Sequence, residues 1–127
     1  MATILVVDDT ALAREAVSRL LEYEGFEVLR ASHGRDAWAM MYEHTPNLVL
    51  LDLMMPEMDG VTLLRMIRRS SRWHDLPVIV LTGVTDDQFF IQSARELGIA
   101  DLVPKASFGF DDLLSRVKRH MPKAVVA

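Results

Sequence analysis

Residues 4–9 read Ile-Leu-Val-Val-Asp-Asp: four apolar side chains, then two carboxylates with no spacer between. An apolar run of this length that stops at a charge is the signature of a parallel strand buried on both faces, its last residue emerging at the sheet edge. The pattern recurs along the chain. Residues 48–52 are Leu-Val-Leu-Leu-Asp, residues 78–82 are Val-Ile-Val-Leu-Thr, and Leu102-Val103-Pro104 leads directly into Lys105.

Amphipathic segments fill the intervals. Residues Ala11–Tyr23 carry Leu12, Ala16, Val17, Leu20 and Leu21 at helical spacing, with Thr10 as N-cap and Gly25 as the stop beyond. A shorter strand follows at Phe26–Leu29. Helices are expected over Gly34–His44, with Pro46 punctuating the end, and over Val61–Arg69 after the turn Met58-Asp59-Gly60. A fourth is expected over Asp86–Leu97, where Thr85 and Gln88 form a capping box. Ala100–Val103 and Asp111–His120 complete a (βα)₅ α/β domain without an internal repeat. Two βα units fit between Asp9 and Asp52, and one fits each later interval, at about 30 residues per βαβ unit. Ligands of open α/β sheets bind outside the carboxyl ends of the strands. Asp8, Asp9, Asp52, Thr82 and Lys105 therefore converge on one edge.

Bulk composition narrows the class. The chain has 127 residues, half of them hydrophobic, which suits one compact domain with a real core. A formal charge of −4 argues against nonspecific nucleic-acid binding as the main task. Cysteine is absent, so disulfides, thiol catalysis and thiolate metal sites are excluded. No apolar stretch approaches about 18 residues, and Met1 leads straight into a strand, so neither a membrane association nor a leader is expected. A cytoplasmic protein is the expectation.

Three carboxylates at one sheet edge are electrostatically costly. Two unit charges 4 Å apart repel by roughly 1 kcal/mol in water and about 4 kcal/mol at an effective dielectric of 20. Capping of the first helix would account for Asp8 and Asp9 alone, but not for their convergence with Asp52 and Lys105. A hard divalent cation removes the conflict, and Mg²⁺ favours carboxylate oxygens. Carboxylates, a hydroxyl and an ammonium together suit a divalent cation plus a phosphoryl group.

In order and spacing, Val6-Val7-Asp8-Asp9, then Leu50 to Gly60 (LLDLMMPEMDG), Leu81-Thr82-Gly83 and Lys105 resemble the receiver domain of two-component response regulators. The similarity spans essentially the whole chain. It implies a flavodoxin-like three-layer sandwich with strand order 2-1-3-4-5, over residues 1–121, with 122–127 as a tail or the start of a linker. It implies that Asp52 takes a phosphoryl group from a histidine kinase or phosphotransfer protein, forming an acyl phosphate. Asp9 would ligate Mg²⁺ directly, Asp8 mainly through water, with Asp52 and the Met54 backbone carbonyl completing the protein's share. Lys105 would pair first with Asp52 and then with phosphoryl oxygens, and Thr82 would donate its hydroxyl. Beyond self-catalysed acceptance and slow self-dephosphorylation, no enzyme activity is implied. The phosphorylated domain would switch an effector or a receiver dimer through the face made by the fourth helix, fifth strand and fifth helix. Nucleic acid is not expected as a direct partner. Leu12 and Ala13 on the first helix would meet the kinase.

Three features depart from the family pattern. Ala106 follows Lys105 where the family usually has proline, which bears on the lysine's path. Leu102 stands where the family usually has Tyr, Phe or His, which bears on coupling between the site and the fourth-helix face. Met54 and Val84 offer no group to orient an attacking water, so self-dephosphorylation should be slow. The alternative raised by Ala106 and Leu102 is an interaction-only receiver that acts without phosphorylation. An aspartate-nucleophile phosphatase would want a second aspartate at position 54, and a flavin protein a Ser/Thr/Gly-rich loop in place of Asp8-Asp9-Thr10.

Elsewhere the sequence reads blandly. Arg65, Arg68, Arg69 and Arg72 form a solvated helix face. His33, His44, His74 and His120 lack ligand spacing. Of the consecutive Phe89, Phe90 and Ile91, Ile91 with Ala94 and Leu97 should face the sheet and one Phe should point outward, a candidate anchor for an effector or for receiver dimerisation.

Overall fold

The computed structural model describes residues 1–55, 58–83, 87–105 and 109–122. Its strands are β1 (Thr3–Val7), β2 (Glu27–Ala31), β3 (Leu48–Asp52), β4 (Val78–Thr82) and β5 (Asp101–Pro104). They alternate with helices α1 (Ala11–Tyr23), α2 (Gly34–Glu43), α3 (Gly60–Arg69), α4 (Gln88–Leu97) and α5 (Phe110–His120). The five strands form one sheet in the order β2-β1-β3-β4-β5, and every neighbouring pair is parallel.

Period-two alternation of the strands sorts their side chains into two cores. Leu5, Val7, Val49, Leu51, Val78 and Val80 face one way and pack with Ala37 and Met41 of α2, Leu64 and Ile67 of α3, and Ala94 of α4. Ile4, Val6, Leu48, Leu50, Ile79 and Leu81 face the other way, against Val17 and Leu21 of α1 and Leu113 and Val117 of α5. That double burial is why β1, β3 and β4 are continuous apolar runs rather than alternating ones.

The outer strands show the limits of the pattern. The second strand is displaced by one to two residues from the expected Phe26–Leu29, because Arg30 and Ala31 extend it past the apolar stretch. Pro104 belongs to β5, which is tolerated because β5 is an edge strand with one neighbour. Helix α1 ends as its glycine suggests: Gly25 has φ +99° and follows Glu24, whose amide closes the last turn. Thr10 occupies the N-cap of α1 by backbone alone, without a side-chain capping bond.

Helix α4 begins at Gln88 rather than Asp86, and its cap is Asp87, which accepts from the Phe89 amide at 2.7 Å. The expected cap Thr85 lies outside the described residues, as do Pro56, Glu57, Val84, Asp86 and Ala106. Within α4 the expectation for the aromatic pair holds. Phe89 is 72% exposed, while Phe90 and Ile91 pack against the core. Among the described residues no helix is long and apolar enough to cross a membrane.

Two bland readings are corrected. Arg68 is no solvated residue: its guanidinium donates to the carbonyls of Leu76 (2.8 Å), His74 (3.1 Å) and Gly98 (2.8 Å). It ties α3 to the lead-in of β4 and to the end of α4. Arg72 lies over the rings of Tyr42 and Trp73 and donates to Thr45 Oγ1 at 2.9 Å. Two histidines also have structural partners. His33 caps α2 by accepting from the Asp36 amide, and His120 pairs with Asp101 Oδ2 at 3.2 Å.

Candidate functional site

Strands β3 and β4 end on a polar residue, and β1 and β5 run directly into one, all at the same edge of the sheet. Asp8 follows β1 and stays in the ladder, its amide donating to the Ala31 carbonyl at 3.1 Å. Its side chain is 2% exposed and fully engaged. Oδ1 accepts from the Thr10 amide at 2.9 Å, an Asx-type turn that starts the chain toward α1. Oδ2 lies 2.9 Å from Lys105 Nζ. Arg14 reaches back from the first turn of α1 to the Asp8 carbonyl at 2.9 Å.

Asp52 is the last residue of β3 and is 4% exposed. Its Oδ1 accepts from the Met54 amide at 3.3 Å, and its Oδ2 lies 3.6 Å from Lys105 Nζ. At the start of α3, Gly60 donates its amide to the Leu53 carbonyl at 2.8 Å. A Cβ at position 60 would stand 2.5 Å from the Asp52 carbonyl oxygen and 2.7 Å from Leu53 Cα. Both are backbone atoms, so only glycine lets α3 start this close beneath Asp52. Asp59 caps α3 through Oδ1, 2.8 Å from the Thr62 amide.

Thr82 ends β4 and is 7% exposed. Its carbonyl accepts from the Lys105 amide at 2.7 Å, which fixes where the lysine leaves β5. The ammonium sits between Asp8 and Asp52, closer to Asp8. The structure therefore brings Asp8, Asp52, Thr82 and Lys105 together at one sheet edge. Asp9 is exposed at the rim, and the three carboxylates offer oxygens within 4.8 Å of one another.

The electrostatics follow from this crowding. Burial, the charge of Asp8 and the contact with Asp9 push the Asp52 carboxyl up to about 7, against the opposing pull of Lys105 and the Met54 amide. Burial draws the Lys105 ammonium down, but its bond to Asp8 and the charges of Asp52 and Asp8 outweigh that and hold it above its ordinary value. The ammonium thus remains charged while a buried carboxylate beside it is under-compensated. Three hard oxygen donors with a surplus of negative charge match a hard divalent cation.

Met54 is 41% exposed beside the site, and Leu102 is half-buried against the α2–α3–α4 core, an apolar contact in the position read as a possible switch. Leu12, 83% exposed on α1, stands free on the surface expected to meet a kinase.

A family model described as the response regulator receiver domain matches residues 4–118. The phosphate regulon transcriptional regulatory protein PhoB of Pseudomonas aeruginosa is 37% identical over 116 residues, covering 91% of this chain and 50% of that protein. The transcriptional regulatory protein KdpE of Mycobacterium tuberculosis is 37% identical over 118 residues, covering 93% of this chain and 50% of its own length. The chain spans about half the length of the curated relatives it matches. Among solved structures, the chemotaxis protein CheY4 of Vibrio cholerae superposes with a TM-score of 0.84 at 28% identity, covering 94% of this chain and 98% of that one.

Proposed function

The chain belongs to the response regulator receiver domain family of two-component systems, and on that premise we propose that Asp52 accepts a phosphoryl group from a histidine kinase or phosphotransfer protein. The observation that carries this reading is the under-compensated Asp52 carboxylate, buried at a strand end with Lys105 Nζ 3.6 Å away. An Asp52 carboxylate oxygen forms the new P–O bond while the P–N bond to the donor imidazole breaks. The electron pair of that bond returns to the departing nitrogen. Transfer of this kind passes through a loose, metaphosphate-like arrangement, so positioning and charge neutralisation are what the protein must supply.

The chain's own groups divide that work. The Met54 amide holds Asp52 Oδ1 and leaves Oδ2 on the side of Lys105. Lys105, already within reach of Oδ2, meets charge on the phosphoryl oxygens, and Thr82 at the end of β4 donates its hydroxyl to them. Asp8, Asp9, Asp52 and the Met54 carbonyl are the groups that would hold Mg²⁺. When bound, the ion neutralises the carboxylate surplus and charge on the transferred group. Met54 beside the site gives an attacking water no hydrogen-bonding partner, which supports slow self-dephosphorylation. The module comprises residues 1–121, with 122–127 as tail or linker, and its output passes through the α4–β5–α5 face to an effector or a second receiver.

The test is intact mass after incubation with a small acyl-phosphate donor, with and without Mg²⁺, beside Asp52→Asn. A Mg²⁺-dependent gain of one phosphoryl group, lost in the variant, is expected. A chain that binds Mg²⁺ by thermal shift yet takes up no phosphoryl group would instead be a receiver that acts by interaction alone.

A further inference from the structure

Away from the phosphoacceptor edge, α2 and α3 leave a groove of about 400 Å³ between them, lined by Trp38, Tyr42, Met66, Arg69, Ser70 and Ser71. Its composition is unusual for a solvent-facing surface. Trp38 and Tyr42, one helical turn apart, meet edge to face with centroids 5.3 Å apart. The Arg72 guanidinium also lies over the Tyr42 ring, 5.5 Å from its centroid and anchored to Thr45 Oγ1. Tyr42 makes both contacts and is nevertheless 50% exposed. Folding gains little from ordering a tyrosine that remains half in water, whereas a partner gains a contact whose conformational entropy is already spent.

Charge supplies the second observation. In a chain of net charge −4, Arg65, Arg68, Arg69 and Arg72 fall within eight residues at the end of α3 and its exit. Arg68 is consumed by backbone carbonyls and Arg72 by the aromatic stack. No described carboxylate pairs with Arg69, which lines the groove, or with Arg65, one helical turn before it on α3. Apolar and aromatic floor, arginine rim and flanking Ser71 hydroxyl make up the surface that binding hot spots favour.

We propose that the α2–α3 groove is a docking surface for an acidic helical segment of a partner protein. One large apolar side chain of that segment seats among Trp38, Tyr42 and Met66, and carboxylates one turn away meet Arg69 and Arg65. The surface is separate from the α4–β5–α5 face, and the inference does not depend on Asp52 being phosphorylated.

The experiment is a selection from a phage-displayed library of helical peptides of about 16 residues against the whole chain. It is followed by fluorescence-polarisation titration of the enriched peptides. Enriched sequences should combine Asp or Glu with a Leu, Phe or Trp anchor. Their affinity should fall by about tenfold or more with Tyr42→Ala and with Arg69→Glu, and stay unchanged with Tyr23→Ala on α1 and with Asp52→Asn. On the Arg69→Glu chain, an acid-to-lysine change in the peptide should restore binding, which a folding defect would not allow. Three results would overturn the proposal: no enrichment, peptides indifferent to both substitutions, or concentration-dependent self-association of the chain abolished by Tyr42→Ala.

Discussion

Lys105 Nζ lies 2.9 Å from Asp8 and 3.6 Å from Asp52, so the site's ammonium is held by the carboxylate of β1 and leans toward that of β3. Asp52 therefore carries charge that its neighbours only partly answer. Without divalent cation, Asp52→Asn should stabilise the fold by about 1 kcal/mol. It removes a buried charge, keeps an acceptor for the Met54 amide, and leaves Lys105 its closer partner. Urea denaturation in a chelating buffer checks this; a loss of stability would mean that the Lys105 contact outweighs the repulsion.

The same surplus predicts stabilisation by Mg²⁺. At ten times its Kd the ion should add about 1.4 kcal/mol to unfolding, seen as a rise in Tm. Asp9→Asn, at the exposed rim, should weaken the response with little effect on the ion-free chain. An unchanged Mg²⁺ response in that variant would remove Asp9 from the ligand set.

Gly60→Ala should cost roughly 1–3 kcal/mol, since the new methyl meets the backbone of Asp52 and Leu53, which cannot rotate away. Because the displaced atoms belong to Asp52 itself, phosphoryl uptake should slow as well. Gly109→Ala, where a Cβ meets nothing within 4 Å, is the matched control. Equal stability of the two variants would contradict the close packing of α3 beneath β3.

Arg68→Met should destabilise the domain by about 2 kcal/mol, leaving the carbonyls of Leu76, His74 and Gly98 without their common donor. Arg68→Lys should recover only part of this, because an ammonium cannot span the three acceptors. Chemical denaturation of the pair provides the measurement; full recovery by lysine would show that charge alone matters.

Stability should also fall on the acid side through Asp101. Burial pushes this carboxyl up, but the Leu102 amide, His120 and Arg116 together outweigh it and leave it below its ordinary value. A group lowered in the folded state contributes stability that is present above its unfolded value, about 3.9, and is lost as pH falls through the folded one. Asp101→Asn should therefore cost about 1 kcal/mol at pH 7 and converge with the parent chain below about pH 3. A constant difference across that range would show that the carboxylate's charge is not what matters.

How far the sequence could be read depended on the partner each residue uses. The strands were legible because β1, β3 and β4 are buried on both faces, and their abrupt polar ends marked the edge where Asp8, Asp52 and Thr82 meet. Sequence periodicity places side chains against side chains, and it handled Phe89 and Ile91 well. It has no access to backbone acceptors. Arg68 looked like an ordinary solvated arginine because the carbonyls it binds come from two segments distant in sequence, 74–76 and Gly98. Arg72 and His120 were missed similarly, since Tyr42 and Asp101 become their neighbours only after folding. The start of α4 was misplaced because Thr85 and Asp87 are equally plausible caps in sequence. The Lys105 preference for Asp8 rests on a difference of less than one ångström, which no spacing argument can express.

Strand β5 is the sheet's edge, four residues long and hydrogen-bonded on one side only. The ammonium that sits between the two buried carboxylates rides on its last hydrogen bond, from the Lys105 amide to the Thr82 carbonyl. Fraying of that margin would carry the positive charge away and leave Asp8 and Asp52 facing each other unshielded. The acidic residues then press hardest against their neighbourhood at the moment the rim opens. Attachment of the least secured strand is in this way coupled to the charge balance of the pocket, and a cation arriving from solvent would find the frayed form the hungrier one.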